Sequence, residues 1–228
     1  MGYSVSRHNL QKHFHPACGF AQMIAGYHLI WTNYGHWLPN DPRGSVSHEL
    51  RSAKLAPLGD LHFGRKKIQP AGSEIKEFYA AAQGLLRYSL LTFDESQVQL
   101  IGETFSRVVH DRTYTCYACA IMPDHVHLVI RKHRDQAEIM IHHLQDASRR
   151  DLHNTLSHDI DLDHPIWGGP GWKGFLDSRD DIERTVRYIE QNPVKIGQMV
   201  QRWSFVSEYD GWLPGQVRTA KPQARGTT

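Results

Sequence analysis

The chain has 228 residues, 40% of them hydrophobic and 22% charged, with a formal net charge of +2. That suffices for one good core, or one core carrying a large insertion. No stretch approaches the ~20 apolar residues of a membrane helix, and the N-terminus, with His8, Lys12, His13 and His15, lacks a signal peptide's apolar centre. A cytoplasmic protein without a membrane partner is expected, and so mild a charge neither demands nor excludes nucleic acid.

Three cysteines, Cys18, Cys116 and Cys119, are too few and too odd in number for a disulfide scaffold. Cys116 and Cys119 lie in a strand-like run where a spacing of three sends side chains to opposite faces, which disfavours a zinc or redox pair.

In chain order, residues 1–23 read as an N-terminal extension and 24–212 as the main domain. Ile24 to Thr32 is apolar and aromatic, the composition of a first strand. From Asn33 to Gly72 four prolines and several glycines interrupt any periodicity, which predicts an irregular insertion over 33–72. Ser73 to Leu91 predicts a helix capped by Ser73 and weakened by Gly84. Val98, Ile101, Phe105, Val108 and Val109 recur at helical spacing after Asp94, a plausible cap.

Thr113 to Ile121 and His125 to Arg131 predict two adjacent strands across the Met122-Pro123-Asp124 turn. Over residues 136–153 a helix places Ile139, Met140, Leu144 and Ala147 on its core side, with Arg149 and Arg150 away from it. A loop rich in His, Asp and Gly follows, with a short strand around Trp172 to Leu176. Asp181 to Gln191 then forms a helix with an Ile182, Val186, Ile189 stripe, which Pro193 ends. Residues 213–228 read as a flexible tail. This order predicts an α+β fold: a ferredoxin-like, largely antiparallel sheet with helices packed on one face.

Chemistry concentrates at two places. His125 and His127 stand two residues apart on a strand, so both imidazoles project from one face while Val126, Leu128 and Ile130 face the helices. With 16 histidines in the chain, about one H-x-H arises by chance; His13 and His15 form another, without a strand-like flank, and read as surface. The second place is the last helix. Tyr188 and Asn192, four apart, share a face, at the edge of the buried stripe and roughly 90 to 120° from it. A tyrosine hydroxyl can form a covalent enzyme intermediate, or Tyr188 is a packing aromatic and Asn192 a helix-terminating residue before Pro193.

Met122-Pro123-Asp124-His125-Val126-His127-Leu128-Val129-Ile130 resembles the M-P-N-H-V-H-L run of the single-tyrosine HUH transposases, especially the REP-associated tyrosine transposases. Tyr188-Ile189-Glu190-Gln191-Asn192-Pro193-Val194-Lys195-Ile196-Gly197 resembles their Y-I-x-x-N-P-V-K-A-G signature, and Trp203-Ser204-Phe205 to Tyr209 their following W-x-[WF]-S-S-Y segment. The resemblance implies an HUH endonuclease core in which His125 and His127 bind Mg²⁺ or Mn²⁺, Asn192 supplies a third ligand and Tyr188 attacks a DNA phosphate to leave a 5′-phosphotyrosine. Asp124 departs from the pattern, adding negative charge near the metal, and the 33–72 insertion exceeds the compact family core.

The implied partner is single-stranded DNA beside a hairpin, bound by a monomer or homodimer. Arg131, Lys132, Arg149, Arg150, Lys173 and Lys195 are then candidates for phosphate contacts, and Trp167 or Trp172 for stacking on unpaired bases, if they are not ordinary packing residues. A relaxase or replication initiator would use the same metal and tyrosine, and a domesticated hairpin-binding protein would keep the residues without transposing. A structural zinc module would need a closed ligand set that the sequence does not offer.

Overall fold

The computed structural model describes residues 23–45, 47–50, 52–155, 161 and 163–215. Nearly all of the N-terminal extension, with His13, His15 and Cys18, and nearly all of the 213–228 tail lie outside them. No helix among the described residues is long and apolar enough to cross a membrane.

Four strands form one antiparallel sheet: β1 (Gly26–Thr32), β2 (Cys116–Ile121), β3 (His125–Arg131) and β4 (Trp172–Leu176), in the spatial order β2-β3-β1-β4. That is the order of a ferredoxin-like sheet, reached because the β2–β3 hairpin turns at Met122-Pro123-Asp124 and each helical crossover carries the chain from a central strand, β1 or β3, to an edge strand, β2 or β4. The helices are α1 (Gly72–Gln83), α2 (Glu95–Asp111), α3 (Ala137–Thr155), α4 (Arg179–Glu190) and the short α5 (Asn192–Lys195). The fold class is α+β.

Strand alternation divides the apolar side chains between two cores. Leu29 and Trp31 of β1 and Val126, Leu128 and Ile130 of β3 meet Ile101 and Phe105 of α2 and Met140 and Leu144 of α3. The two long helices thus cover one face, as the sequence predicts. On the other face, Tyr117, Ala118, Ala120 and Val129 meet Ile182 and Ile189 of α4. Helix α4 therefore docks not beside α2 and α3, as the one-face expectation had it, but on the opposite sheet face, which carries the odd-numbered residues of β3.

Local signals start the helices. Asp94 accepts from the Gln97 backbone while Gln97 reaches back to the Asp94 N–H, a reciprocal box that starts α2. Ser178 accepts from the Asp181 N–H and starts α4. Pro193 sits in the first turn of α5, where its missing N–H costs nothing, so it opens a second helix directly after ending the first.

Some expectations are corrected. The helix expected over 73–91 spans only Gly72–Gln83, with Ala71 rather than Ser73 at its N-cap, and its chain turns away at Gly84. Ile139 is 46% exposed, and Ile141 takes the core position in its place. Cys116 and Cys119 do not face apart: a bulge between Cys116 and Ala118 shifts the alternation by one residue, and both thiols enter the α2/α3 core. Burial there pushes the Cys116 thiol up to about 12 and Cys119 well above its ordinary value, so both are held as inert thiols.

The 33–72 insertion is irregular, with one short 3-10 helix at Ala53–Leu58, yet it is internally bonded. Leu38 and Leu55 pack on Phe78 and Ala82 of α1. The Asn40 amide donates to the Leu55 carbonyl at 2.6 Å, and Asp41 pairs with Arg43 at 2.7 Å.

Beyond α5 the chain protects the exposed edge of β2. The Gln201 amide pairs with both backbone groups of Ile121 at 2.8 Å, and Ser207 N–H donates to the Cys116 carbonyl. Trp203 lies against α2 at Gly102, where an added Cβ would come within 2.1 Å of its ring. Gly102→Ala is expected to lower the melting temperature, since overpacking costs about 1–3 kcal/mol against a helix-propensity gain of about 1 kcal/mol. An unchanged or raised melting temperature would show that Trp203 does not need this seat.

Candidate active site

Period-two geometry brings His125, His127, Val129 and Arg131 to the α4 face of β3. The two imidazoles stand 4.8 Å apart, centroid to centroid, with planes at 87°. His127 is 5% exposed, whereas His125 lies nearer the rim. The neighbouring strand adds His28: it faces the same side as Ile30, which pairs with His127, and its Nε2 lies 3.0 Å from His127 Nδ1.

Helix α4 brings its C-terminal turn over this cluster. The Tyr188 ring meets His127 edge-on at 5.7 Å and His28 at 6.2 Å. Tyr188 is 47% exposed, so the residue is accessible to a polymer lying across the face. Asn192, one turn on, is buried; its Oδ1 accepts from Lys195 Nζ at 2.9 Å, and its Nδ2 has no hydrogen-bond partner. Lys195 in turn holds its ammonium 4.2 Å over the Tyr188 ring, a cation–π contact. One lysine thus ties the asparagine to the tyrosine.

Burial favours neutral imidazoles at His28 and His127. Burial pushes the His28 imidazole down to about 4. Burial, then the charges of His125, His28 and Lys195, hold His127 well below its ordinary value. Neutral imidazole is the form that binds a metal ion. Burial would raise the Asp124 carboxyl, but the His125 hydrogen bond at 2.6 Å and the charges of His125 and His36 outweigh it. The result is a carboxyl below its usual range.

Of the residues singled out in the sequence, the fold brings together His125, His127, Tyr188, Asn192 and Lys195. Arg131 shares their sheet face but stands about 20 Å along β3 from His125, with its guanidinium 3.6 Å over the Trp212 ring; exposed Lys132 follows it. The others stand apart. Arg149 and Arg150 lie on α3, across the sheet, and both pair with Asp146. Lys173 shares the face of Leu29 and pairs with Glu138 of α3.

Trp167 is a core residue, edge-on to Trp31 and Phe93, with its indole N–H bonded to the Gln145 carbonyl. Trp172 stays 38% exposed and stands edge-on to His28. Sequence reasoning missed His28 altogether and gave Asp124 only a charge. The available signal was a histidine alternating with Tyr27, Leu29 and Trp31 in an otherwise apolar strand.

Among the described residues, no group of three or more His, Cys, Asp or Glu side chains is arranged to hold a metal ion.

No family model matches the chain, and no curated protein matches it in sequence. The solved structures similar to this chain include two transposases. One is a REP-associated tyrosine transposase bound to a REP hairpin: 16% identity, 84% of this chain and 81% of that one, TM-score 0.41. The other, described as a transposase, comes from Deinococcus radiodurans R1: 14% identity, 82% of this chain and 100% of that one, TM-score 0.32. At such identities and TM-scores neither bears on which residues act.

Proposed function

We propose that this chain cuts and rejoins single-stranded DNA as a metal-dependent tyrosine transposase, through a covalent bond between Tyr188 and a 5′-phosphate. The observation that carries this reading is the convergence of a half-exposed Tyr188 with two same-face histidines and a lysine in one contact cluster. Each has a separate packing explanation; their meeting from two distant chain regions, β3 and α4–α5, does not.

The donor set fits a divalent cation. His125 and His127 offer two imidazoles, and Asn192 an amide whose buried Nδ2 lacks a partner, a cost of about 1–3 kcal/mol if nothing satisfies it. Turning that amide over brings its oxygen to the orphaned position, provided Lys195 releases it. Two imidazoles and an amide oxygen suit Mn²⁺ as well as Mg²⁺. An ion held by these residues would supply positive charge to the scissile phosphate.

The chain's own residues do the rest. Tyr188 Oη attacks phosphorus; its O–P bond forms as the bond from phosphorus to the 3′-oxygen breaks. The phenol loses its proton to water, and the departing 3′-oxygen takes one up to become a hydroxyl. Lys195, over the Tyr188 ring, stabilises the negative charge that develops on the phenol oxygen and on the phosphate. The bond energy is kept in the phosphotyrosine, so a second 3′-hydroxyl can reverse the step. Arg131, down the same face, and the exposed Lys132 that follows it would meet phosphates of the bound strand, and Trp172 would stack on a base beside the histidines.

The test is incubation of the protein with 5′- and 3′-labelled single strands carrying a hairpin, with Mg²⁺ or Mn²⁺, followed by a denaturing gel. A covalent adduct carrying the DNA 3′ of the cut, abolished by chelator, is expected. Hairpin binding without any adduct would replace this reading with that of a non-cleaving DNA-binding protein.

A further inference from the structure

We infer that Asp124 and His28 are positioning residues that fix His125 and His127 in the one tautomer able to present both Nε2 atoms to a metal ion. The inference rests on the proposed metal-dependent reading and extends it to two residues outside the donor set.

The geometry is specific about which nitrogen is spent. A neutral imidazole carries one N–H and one lone pair, and the hydrogen bond made by one nitrogen decides what the other offers. At His125 the nitrogen engaged is Nδ1, 2.6 Å from Asp124 Oδ1. An ionised carboxylate only accepts, so Nδ1 holds a proton, and the neutral ring that binds a metal then has its lone pair on Nε2.

At His127 the engaged nitrogen is again Nδ1, 3.0 Å from His28 Nε2. Two imidazole nitrogens at that distance share one proton. If His127 donates it, His127 Nε2 is bare, and His28 carries its own proton on Nδ1. If His28 donates, His127 Nε2 must be protonated and cannot ligate. Only the first arrangement gives two matching ligands, and only it repeats the pattern already forced at His125.

The two supports come from different places. Asp124 precedes its histidine in the hairpin turn, whereas His28 lies 99 residues away and reaches His127 diagonally from β1. Their acceptors meet corresponding atoms of the two rings. Outer hydrogen bonds of this kind orient a ligating ring and raise its basicity, and losing one typically costs about 10- to 100-fold in metal affinity. His28 is not itself a further ligand through Nε2, because that atom is occupied by His127.

Two readouts test this on the full chain. Long-range ¹⁵N–¹H spectra of the histidine rings, taken without metal at neutral pH, report the tautomer: His125 and His127 are expected protonated on Nδ1 and bare on Nε2. Calorimetric titration with Mn²⁺ reports affinity: His28→Ala and Asp124→Ala are each expected to weaken binding about 10- to 100-fold. His28→Gln and Asp124→Asn keep an acceptor oxygen and should recover most of the loss.

A His127 proton on Nε2 in the metal-free wild type would overturn the inference for His28. So would a His28→Ala protein that melts lower but binds Mn²⁺ as before, the result of a merely structural contact. A wild type whose His125 and His127 carry the expected tautomers yet binds no Mn²⁺ would instead reject the metal reading itself, and the purpose of the positioning with it.

Discussion

Tyr188→Phe is expected to abolish the covalent DNA adduct while leaving hairpin binding within about 0.5 kcal/mol of wild type, roughly twofold in Kd. The substitution removes one oxygen and keeps the ring. That ring's observed contacts are all aromatic or cationic: edge-on to His28 and His127, and beneath the Lys195 ammonium. Phenylalanine retains each of them in weaker or equal form. Because the side chain is half exposed, no buried hydroxyl is being deleted and no cavity opens. The measurement pairs a denaturing gel for the adduct with a mobility shift for binding. A variant that still forms a covalent bond to DNA would assign the nucleophile to another residue, whereas equal loss of binding and cleavage would make Tyr188 a contact residue only.

How much of this was visible beforehand depended on the range of the interaction. The shared face of His125 and His127 needs only the two-residue repeat of a strand, and the relation of Tyr188 to Asn192 only the 3.6-residue repeat of a helix. Both are local and both were readable. That His28 bonds His127 depends on the β1–β3 register, in which Ile30 faces His127 and His28 lies diagonal to it. Register is a long-range property, and nothing within ten residues of His28 specifies it.

Other misses have equally definite causes. Ile139, Met140 and Ile141 are all apolar, so the phase of α3 was open by one position, and Ile139 rather than Ile141 proved to face water. The bulge that turns Cys116 and Cys119 into the same core adds one residue to a strand whose composition gives no sign of it. Arg149, Arg150 and Lys173 carried the right charge for phosphate contacts, but charge does not say which side of a sheet a residue will take. Their carboxylate partners Asp146 and Glu138 are on α3. In the insertion, polar side chains bond backbone carbonyls, as Asn40 does with Leu55 and Gly59, which leaves no periodicity to read.

His125→Ala and His127→Ala are both expected to eliminate metal-dependent adduct formation, but with different structural costs, and the difference makes the pair informative. His125 has a side chain 20% exposed and a bond to a partly exposed carboxylate, so its removal should change the melting temperature little. His127 is almost fully buried between His125, His28 and the Tyr188 ring. Truncating it leaves His28 without its partner and opens space under α4, so a clear fall in melting temperature is expected as well. If the two histidines act as ligands, Mn²⁺ affinity should fall in both variants by at least about 100-fold, beyond the 10- to 100-fold typical of losing an outer hydrogen bond, whatever the melting curves do. If His127 serves only to seat Tyr188, His127→Ala would lose activity while His125→Ala kept both its metal affinity and its adduct. Titrating Mn²⁺ against adduct yield for each variant, alongside melting curves, separates these outcomes, and wild-type levels of adduct from either variant in excess chelator would remove the metal from the mechanism.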